Sequence, residues 1–200
     1  ARLKLEIQSL DRQVLNIFGA HSGLDFANST IDATSVLDLS RDWKQIVANG
    51  KLTGQQLGVL HNKQATPPLD LEVDYQVQAN LEDQSATIQR LNLNGRRKNQ
   101  ELLTASLDRP MNVTWGPRAR GFTESTFQLA VKQLDLAEWR PLLGTNLPTG
   151  TANLQLSVLA QKDAKELTAK LTSSIDDLAV QLASNRVERA SLKLSLETFV

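Results

Sequence analysis

The residues that most resemble catalytic machinery lie near the N-terminus, where His21 is followed by Ser22 and, three positions later, by Asp25. These are the residue types of a hydrolase triad, in which a histidine takes the proton of a serine nucleophile. Adjacent residues of a strand point to opposite faces of a sheet, so His21 cannot readily activate Ser22. We therefore interpret this stretch as the solvated start of a strand and predict no catalytic residue in it.

The other candidates for acid–base or metal chemistry are equally isolated. His61 precedes a turn-like stretch, and the chain has no cysteine and only two histidines, which leaves a metal ion too few ligands. Acid pairs occur at Asp176–Asp177 and at Glu82–Asp83, but adjacent side chains diverge and do not form a general acid–base couple. The sequence also lacks a Gly-rich phosphate-binding motif. It therefore predicts a protein that is not an enzyme and that has no metal site and no cofactor.

The charge balance makes nucleic acid an unexpected partner. The 22 basic and 22 acidic residues give a formal net charge of zero, so no overall positive field attracts a polyanion. Two basic clusters occur at predicted turns, one at Arg96, Arg97 and Lys98 and the other at Arg118 and Arg120 beside Trp115. We interpret both clusters as solvated turns, with contact to lipid headgroups or to an acidic partner as the alternative.

The elements that position the side chains are predicted to be β-strands. Apolar residues recur at every second position over most of the chain, and this period places them on one face of a strand. The sequence therefore predicts an all-β fold, a curled antiparallel sheet with one apolar and one polar face. The residues expected to line the apolar face are Leu3, Leu5, Ile7, Leu69, Leu71, Val73, Tyr75, Val77, Phe127, Leu129, Val131, Leu154, Leu156, Val158, Leu192, Leu194 and Leu196.

One hairpin is predicted in more detail. Ile88 and Leu91 fall on opposite phases of the two-residue period, so a β-bulge between them is needed to bring Ile88, Leu91 and Leu93 to one face. A polar connection with a basic tip is predicted to begin at Asn94-Gly95. Further turns are expected at Asn49-Gly50, Pro67-Pro68, Arg109-Pro110 and Gly116-Pro117.

Two short helices are predicted beside the strands. The first covers Arg41 to Val47 and follows the N-cap candidate Ser40. The second opens on Asp135-x-x-Glu138, which matches a capping box, and Pro141 keeps it to one or two turns.

The surroundings of the two predicted helices resemble each other. Trp43 and Trp139 are 96 residues apart, and the same spacing separates Thr53-Gly54 from Thr149-Gly150. This match predicts an internal repeat, with units of about 1–95 and 96–200. Because both ends of the sequence fall within alternating runs, we expect residues 1–200 to be one segment of a longer repeating protein.

The long apolar face must be covered, because burial of apolar surface yields about 25 cal/mol per Å². A second sheet, the interior of a closed barrel and bound acyl chains in an open trough are the three alternatives. Aromatic residues are only 4% of the chain, and leucine dominates the apolar positions, which favours a flexible lining over a packed sandwich core.

The stretch LDLAEWRPLLGTNLPTGTANLQLSVLAQ, the C-terminal run from KELTAKLTSS onward and the earlier VLDLSRDWKQIVANGKLTG resemble the AsmA-like family of Gram-negative bacteria. The similarity is a shared cadence of Leu-Asp-Leu, a short Trp-containing segment, Thr-Gly and alternating leucines. The resemblance implies a repeating open β-groove and a bridge-like phospholipid transfer protein of the periplasm that is anchored in the inner membrane.

The expected function is therefore phospholipid transport between the inner and outer membranes, with acyl chains along the apolar face. The resemblance adds an outer-membrane protein or lipoprotein as a further partner. The alternative is a structural β-domain that scaffolds outer-membrane protein assembly without lipid cargo.

Overall fold

The computed structural model of the chain describes residues 1–19, 24–61, 64–115, 125–140, 148–161, 166–182 and 185–199. It is nearly all β-structure, with 76% of residues in strands. Eleven strands form one open antiparallel sheet that does not close on itself. The prediction of an all-β protein with an open antiparallel sheet and short helices is confirmed.

The elements follow one another along the chain as β1 (Arg2–Leu10), α1 (Arg12–Gly19), β2 (Thr30–Ser40), β3 (Gln45–Leu57), β4 (Leu60–His61), β5 (Gln64–Ala65), β6 (Leu69–Asn80), β7 (Ser85–Arg97), β8 (Gln100–Leu107), β9 (Met111–Thr114), β10 (Ser125–Asp135), a 3-10 helix (Leu136–Trp139), β11 (Thr149–Gln161), β12 (Glu166–Leu182) and β13 (Asn185–Phe199).

The order of strands in the main sheet follows their order in the chain. It is β1-β2-β3-β6-β7-β8-β10-β11-β12-β13, with β9 paired to β7, while β4 and β5 form a separate two-stranded sheet. Every long strand is antiparallel to its neighbours and makes its main contacts with them alone. Within the described ranges, the fold is thus a single layer with β1 and β13 at its two edges.

Helix α1 was not predicted, although the sequence contains its N-cap. The Asp11 carboxylate accepts hydrogen bonds from the backbone N–H groups of Gln13 and Val14, at 3.0 and 3.3 Å. Leu15 of this helix is buried, whereas Ile17 is exposed. The helix is tied to the following segment by hydrogen bonds between Asn16 and both Asp25 and Phe26.

The predicted helix over Arg41–Val47 is wrong. Residues 41–44 form a turn between β2 and β3, and β3 already begins at Gln45. Arg41, Asp42 and Trp43 have φ angles of 49°, 53° and 69°, a left-handed conformation that cannot continue a right-handed helix. Antiparallel pairing of β2 with β3 requires a tight reversal here, and this tertiary requirement overrides the local helical pattern.

The second predicted helix is present as one 3-10 turn. Asp135 is its N-cap, and its side chain accepts a hydrogen bond from the Ala137 N–H at 2.9 Å. The Glu138 side chain does not complete a reciprocal capping box, because it forms ion pairs with Arg97 and Lys98. Pro141 lies outside the described residues.

The predicted bulge in β7 is confirmed, and two predicted turns are wrong. Gln76 pairs with Arg90, and Val77 pairs with Ile88. The bulge residue is therefore the one between Ile88 and Arg90. Asn49-Gly50 lies inside β3, and Asn94-Gly95 lies inside β7, whose actual turn is at residues 98–99. In both strands the glycine allows a neighbouring side chain to approach closely instead of reversing the chain. Breaks do occur at Pro67-Pro68 and Arg109-Pro110, and Gly116-Pro117 lies outside the described residues.

The internal repeat stays a prediction. Trp43 lies in the turn before β3, and Trp139 ends the 3-10 helix before β11, so both mark a reversal between strands. Thr149-Gly150 starts β11, whereas Thr53 lies eight residues after Gln45, the first residue of β3.

Candidate functional site

The strand registers bring all the predicted lining residues to one face of the sheet. Directly opposed residues of antiparallel strands point to the same side, so each cross-strand pair extends the face by one strand. One complete row crosses ten strands and consists of Ile7, Ala33, Leu52, Val73, Leu93, Ala105, Leu129, Leu156, Leu171 and Leu196. We call this the central row. With a strand spacing of about 4.8 Å, it is about 43 Å long.

Neighbouring rows place the other predicted residues beside the central row. The members of the set outside it are Leu3, Leu5, Leu69, Leu71, Tyr75, Val77, Phe127, Val131, Leu154, Val158, Leu192 and Leu194. These residues of β1, β6, β10, β11 and β13 therefore share one face of the sheet, and their role as a lipid lining stays a prediction.

Two strands of the face were missed. In β2, Leu37 pairs with both Leu3 and Ala48. In β3, Ile46 pairs with Leu39, and Leu52 pairs with Ala33. Small residues such as Ala33 and Ser35 interrupt the leucine pattern of β2, and the mistaken helix concealed the start of β3. The alternation from Ile31 to Leu39 was the signal that could have found them.

The apolar face is not covered by a second layer in the part of the chain that is described. Among the residues whose burial is described, only Leu15, Ala105 and Ala160 are buried apolar residues. The other members of the central row are half-buried or, in β13, exposed. The accessible surface of 13283 Å² is far above the roughly 9300 Å² typical of a compact monomer of this mass. The molecule therefore presents an extended apolar surface, far larger than the patches of ordinary soluble monomers.

One polar cluster interrupts the face and is satisfied internally. Ser35, Gly50 and Tyr75 occupy one row on β2, β3 and β6. The tyrosine ring lies over Gly50, where an added Cβ would come within 2.4 Å of it, and the Tyr75 hydroxyl is 3.0 Å from the Ser35 Oγ. Tyr75 thus lines the face with the flat of its ring and keeps its hydroxyl bonded.

Three bulges share one construction, which we call the anchored bulge. Ser9, Gln56 and Gln133 have φ angles of 51°, 49° and 53° at points where the register slips by one residue. In each case the backbone N–H of this residue donates to a side-chain oxygen on the neighbouring strand. The acceptors are Asp32 at 2.7 Å, Asp70 at 2.8 Å and Asn153 at 2.9 Å.

Most bulges lie on one side of the central row. The anchored bulges belong to β1, β3 and β10, and a fourth bulge with a left-handed residue, Asp177, lies in β12. These four strands run in the same direction, and their left-handed residues lie two to six positions C-terminal to the central-row residue of the same strand. A fifth left-handed bulge, at Arg189, lies in the antiparallel strand β13. Bulges bend strands and increase the local twist, so these bulges contribute to curvature on one side of the row.

The polar face carries exposed ion pairs between neighbouring strands. Lys51 is 2.6 Å from Glu72, and Lys132 is 2.6 Å from Glu101. The hydrogen bond from each lysine lowers the pKa of its glutamate below the usual range. Such exposed pairs contribute little stability, but they keep this face hydrated and distinguish it from the apolar one.

The basic hairpin tip is not simply solvated, as the sequence interpretation expected. Arg97 and Lys98 both pair with Glu138 of the 3-10 helix, and the Arg97 side chain is only 17% exposed. This ion-pair cluster joins the β7–β8 hairpin to the start of the β10–β11 connection. Arg118 and Arg120 of the second basic cluster lie outside the described residues.

The residues considered for catalysis do not assemble into a site. Arg12 and then Asn16 hydrogen-bond the Asp25 carboxylate and lower its pKa to about 2, which makes it a structural acceptor. His21, Ser22 and the His61 side chain lie outside the description. The Asp176–Asp177 and Glu82–Asp83 side chains are exposed at a bulge and at a turn.

Among the described residues, no group of three or more His, Cys, Asp or Glu side chains is arranged to hold a metal ion. In the same residues, no helix combines the length and apolarity needed to cross a membrane.

The fold and the face define an open, single-layer antiparallel β-sheet protein with one apolar side. Comparison with protein-family models, with curated proteins and with solved structures found no match to this chain. The resemblance to the AsmA-like family stays a prediction.

Proposed function

We propose that the apolar face binds the acyl chains of phospholipids and that the protein moves phospholipid between the inner and outer membranes across the periplasm. The observation that supports this proposal is the central row, ten apolar residues on ten neighbouring strands with no second layer over them in the described residues. A surface of this extent is unstable in water and requires an apolar ligand or partner.

The dimensions of the face suit acyl chains. The hydrocarbon core of a bilayer is about 30 Å thick, so each leaflet contributes about 15 Å of acyl chain. The central row, at about 43 Å, can accommodate more than one chain end to end. Leucine and valine side chains form no hydrogen bonds, so a lipid can move along the row without breaking any.

Lipid binding is tested by native mass spectrometry of the chain after gentle purification from a Gram-negative host. We expect co-purifying phospholipid. Val73→Asp places a charge in the central row and should reduce the bound phospholipid at least ten-fold, since a carboxylate beside an acyl chain is strongly unfavourable. Gln76→Asp, on the opposite face of the same strand, is the matched control and should retain it.

Transport is tested with the same two variants in a cell that depends on the full-length protein. Loss of transport in Val73→Asp, with normal β-sheet circular dichroism and normal function of Gln76→Asp, would support the proposal. Equal lipid content in the two variants would contradict it.

The second candidate function is a scaffold in outer-membrane protein assembly, with an outer-membrane protein or lipoprotein as partner. The uncovered apolar face favours it, because an exposed apolar surface of this extent is typical of a protein-binding surface. A chain that purifies without lipid and retains activity in Val73→Asp would favour this scaffold role.

A further inference from the structure

Three large apolar side chains are exposed at one end of the main sheet, just beyond the ends of its strands. Trp43 lies in the turn between β2 and β3, Leu81 lies in the turn between β6 and β7, and Trp115 directly follows β9. Their exposed fractions are 62%, 49% and 39%. We call these three residues the tip residues.

Backbone hydrogen bonds join the tip residues into one rim. The N–H of Leu81 donates to the carbonyl oxygen of Lys44 at 2.8 Å, and the N–H of Trp115 donates to the carbonyl oxygen of Gln84 at 2.9 Å. From the β2–β3 turn to β9, which pairs with β7, the rim crosses three and a half strand spacings, or about 17 Å. The tip residues therefore form a continuous group, and grouped exposed apolar residues mark an interaction surface.

The apolar face of the sheet extends to this rim. The row nearest to the tips crosses five strands and consists of Leu39, Ile46, Ala79, Ala86 and Val113. Leu81 and Trp115 come two positions after Ala79 and Val113, so they continue the alternation of these strands. An acyl chain that enters at the rim therefore meets apolar side chains at once.

The opposite ends of the same strands are built differently. There β7 ends at a basic turn, and Arg97 and Lys98 pair with Glu138. Helix α1 follows the end of β1, and the β4–β5 hairpin follows the end of β3. Trp139 lies at this end and is half-buried, whereas the exposed Trp43 and Trp115 both lie at the rim.

The residue types at the rim fit the boundary between a bilayer and water. Tryptophan is enriched at this boundary, because its ring is apolar and its N–H is polar. The charged residues of the two turns are Arg41, Asp42, Lys44, Glu82 and Asp83, which are two basic and three acidic side chains. These turns therefore carry no excess of positive charge with which to select an anionic surface. A bilayer of zwitterionic phospholipid is the partner that suits them.

We propose that the tip residues insert into the headgroup boundary of a zwitterionic phospholipid bilayer and hold the rim of the apolar face against it, so that phospholipid enters or leaves the sheet there. The role in lipid entry rests on the proposed transport function. Binding to the bilayer requires only the tip residues, so it can be measured separately from the cargo.

Tryptophan fluorescence tests the contact directly, since the chain has only three tryptophans. Three variants each keep one tryptophan and carry phenylalanine at the other two positions. Each is mixed with phosphatidylcholine vesicles whose acyl chains either carry bromine or do not, because bromine quenches tryptophan emission only at close range. We expect clearly stronger quenching of Trp43 and Trp115 than of Trp139.

Flotation of the bromine-free vesicles measures binding of the chain. Trp43→Ser should weaken binding about ten-fold, because the ring no longer leaves water when the chain reaches the bilayer. Leu81→Ser should weaken it in the same direction. Ile17→Ser is the matched control, because Ile17 is 71% exposed in α1 at the opposite end of the strands. This control should bind like the parent chain, and all variants should keep β-sheet circular dichroism.

Several results would overturn the membrane contact. They are a parent chain that does not bind the vesicles, equal binding by Trp43→Ser and Ile17→Ser, binding that requires anionic lipid, or quenching of Trp139 as strong as that of Trp43. Loss of a protein partner in Trp43→Ser, without any vesicle binding by the parent, would assign the tips to that protein instead.

The membrane contact and the transport proposal fail separately. Val73→Asp changes the central row and not the rim, so it should bind vesicles like the parent chain while it loses co-purifying phospholipid. Vesicle binding that depends on Trp43, together with unchanged phospholipid in Val73→Asp, would leave the membrane contact standing and remove the transport proposal.

Discussion

Gly50→Ala is predicted to lower the stability of the native chain but to raise the stability of a chain that lacks the tyrosine ring at position 75. In the native chain the Tyr75 ring lies over Gly50, and an alanine Cβ would come within 2.4 Å of the ring atoms. The ring cannot remain there, and it is free to swing toward the uncovered side of the sheet. The ring then loses its packing on β3. It also loses the hydrogen bond from the Tyr75 hydroxyl to the Ser35 Oγ, which is 3.0 Å long.

The magnitude follows from three contributions. Loss of the hydrogen bond costs about 1 kcal/mol. Loss of the packing of the ring on the glycine costs about 1 kcal/mol more. Alanine itself favours the strand over glycine by about 0.5–1 kcal/mol, because it restricts the unfolded chain. The net expectation is a destabilisation of about 1 kcal/mol in the native background.

The same substitution should stabilise a chain that already carries Tyr75→Val. Without the ring there is no clash and no hydrogen bond to lose, so only the gain of about 0.5–1 kcal/mol remains. A double-mutant cycle by urea denaturation should therefore give a coupling free energy of about 1.5–2 kcal/mol between positions 50 and 75. Effects of the same sign and size in both backgrounds would refute the stacking of Tyr75 on Gly50 as the reason for this glycine.

The anchored bulges and the α1 connection give two further predictions. Asp70→Ala should lower the free energy of unfolding by about 1 kcal/mol, because the left-handed Gln56 loses the acceptor of its N–H. Asp70→Asn should change it little, since Asn153 fills the same role in β10–β11, and an equal loss in both variants would argue against the anchor. Folding lowers the pKa of Asp25 from 3.8 to about 2, so its contribution is complete above about pH 4 and is lost as the pH falls toward 2. Urea titrations at several pH values should show this loss in the parent chain and a smaller one in Arg12→Gln, and identical pH profiles would contradict it.

The period-two pattern was sufficient to predict the sheet and its apolar face, because burial of one face imposes alternation on the side chains. It also predicted the bulge between Ile88 and Leu91, where the phase of the pattern slips. The same slip occurs between Ile7 and Leu10 and between Val131 and Leu134, and it could have predicted the anchored bulges. Their acceptors could not be predicted in this way, because Asp32 and Asn153 become neighbours of the bulges only through the strand registers.

The errors arose where long-range pairing overrides local preference. Asn49-Gly50 has the sequence of a tight turn, but β3 continues through it because Gly50 accommodates the ring of Tyr75, 25 positions further along the chain. The turn at residues 41–44 has no glycine, and its left-handed residues are tolerated because β2 pairs with β3 along the whole length of β2. No single-sequence pattern reports either constraint.

The placement of the bulges limits how a sheet of this kind can change its length. Apart from the bulge at Arg189 in β13, the bulges with a left-handed residue in the described strands lie on strands of one direction. Insertion or deletion of a single strand would reverse the direction of all later strands and move their bulges to the opposite end. Gain or loss of a two-strand hairpin preserves both. The hairpin is therefore the natural increment by which duplication could lengthen this protein while its curvature and its apolar side remain continuous.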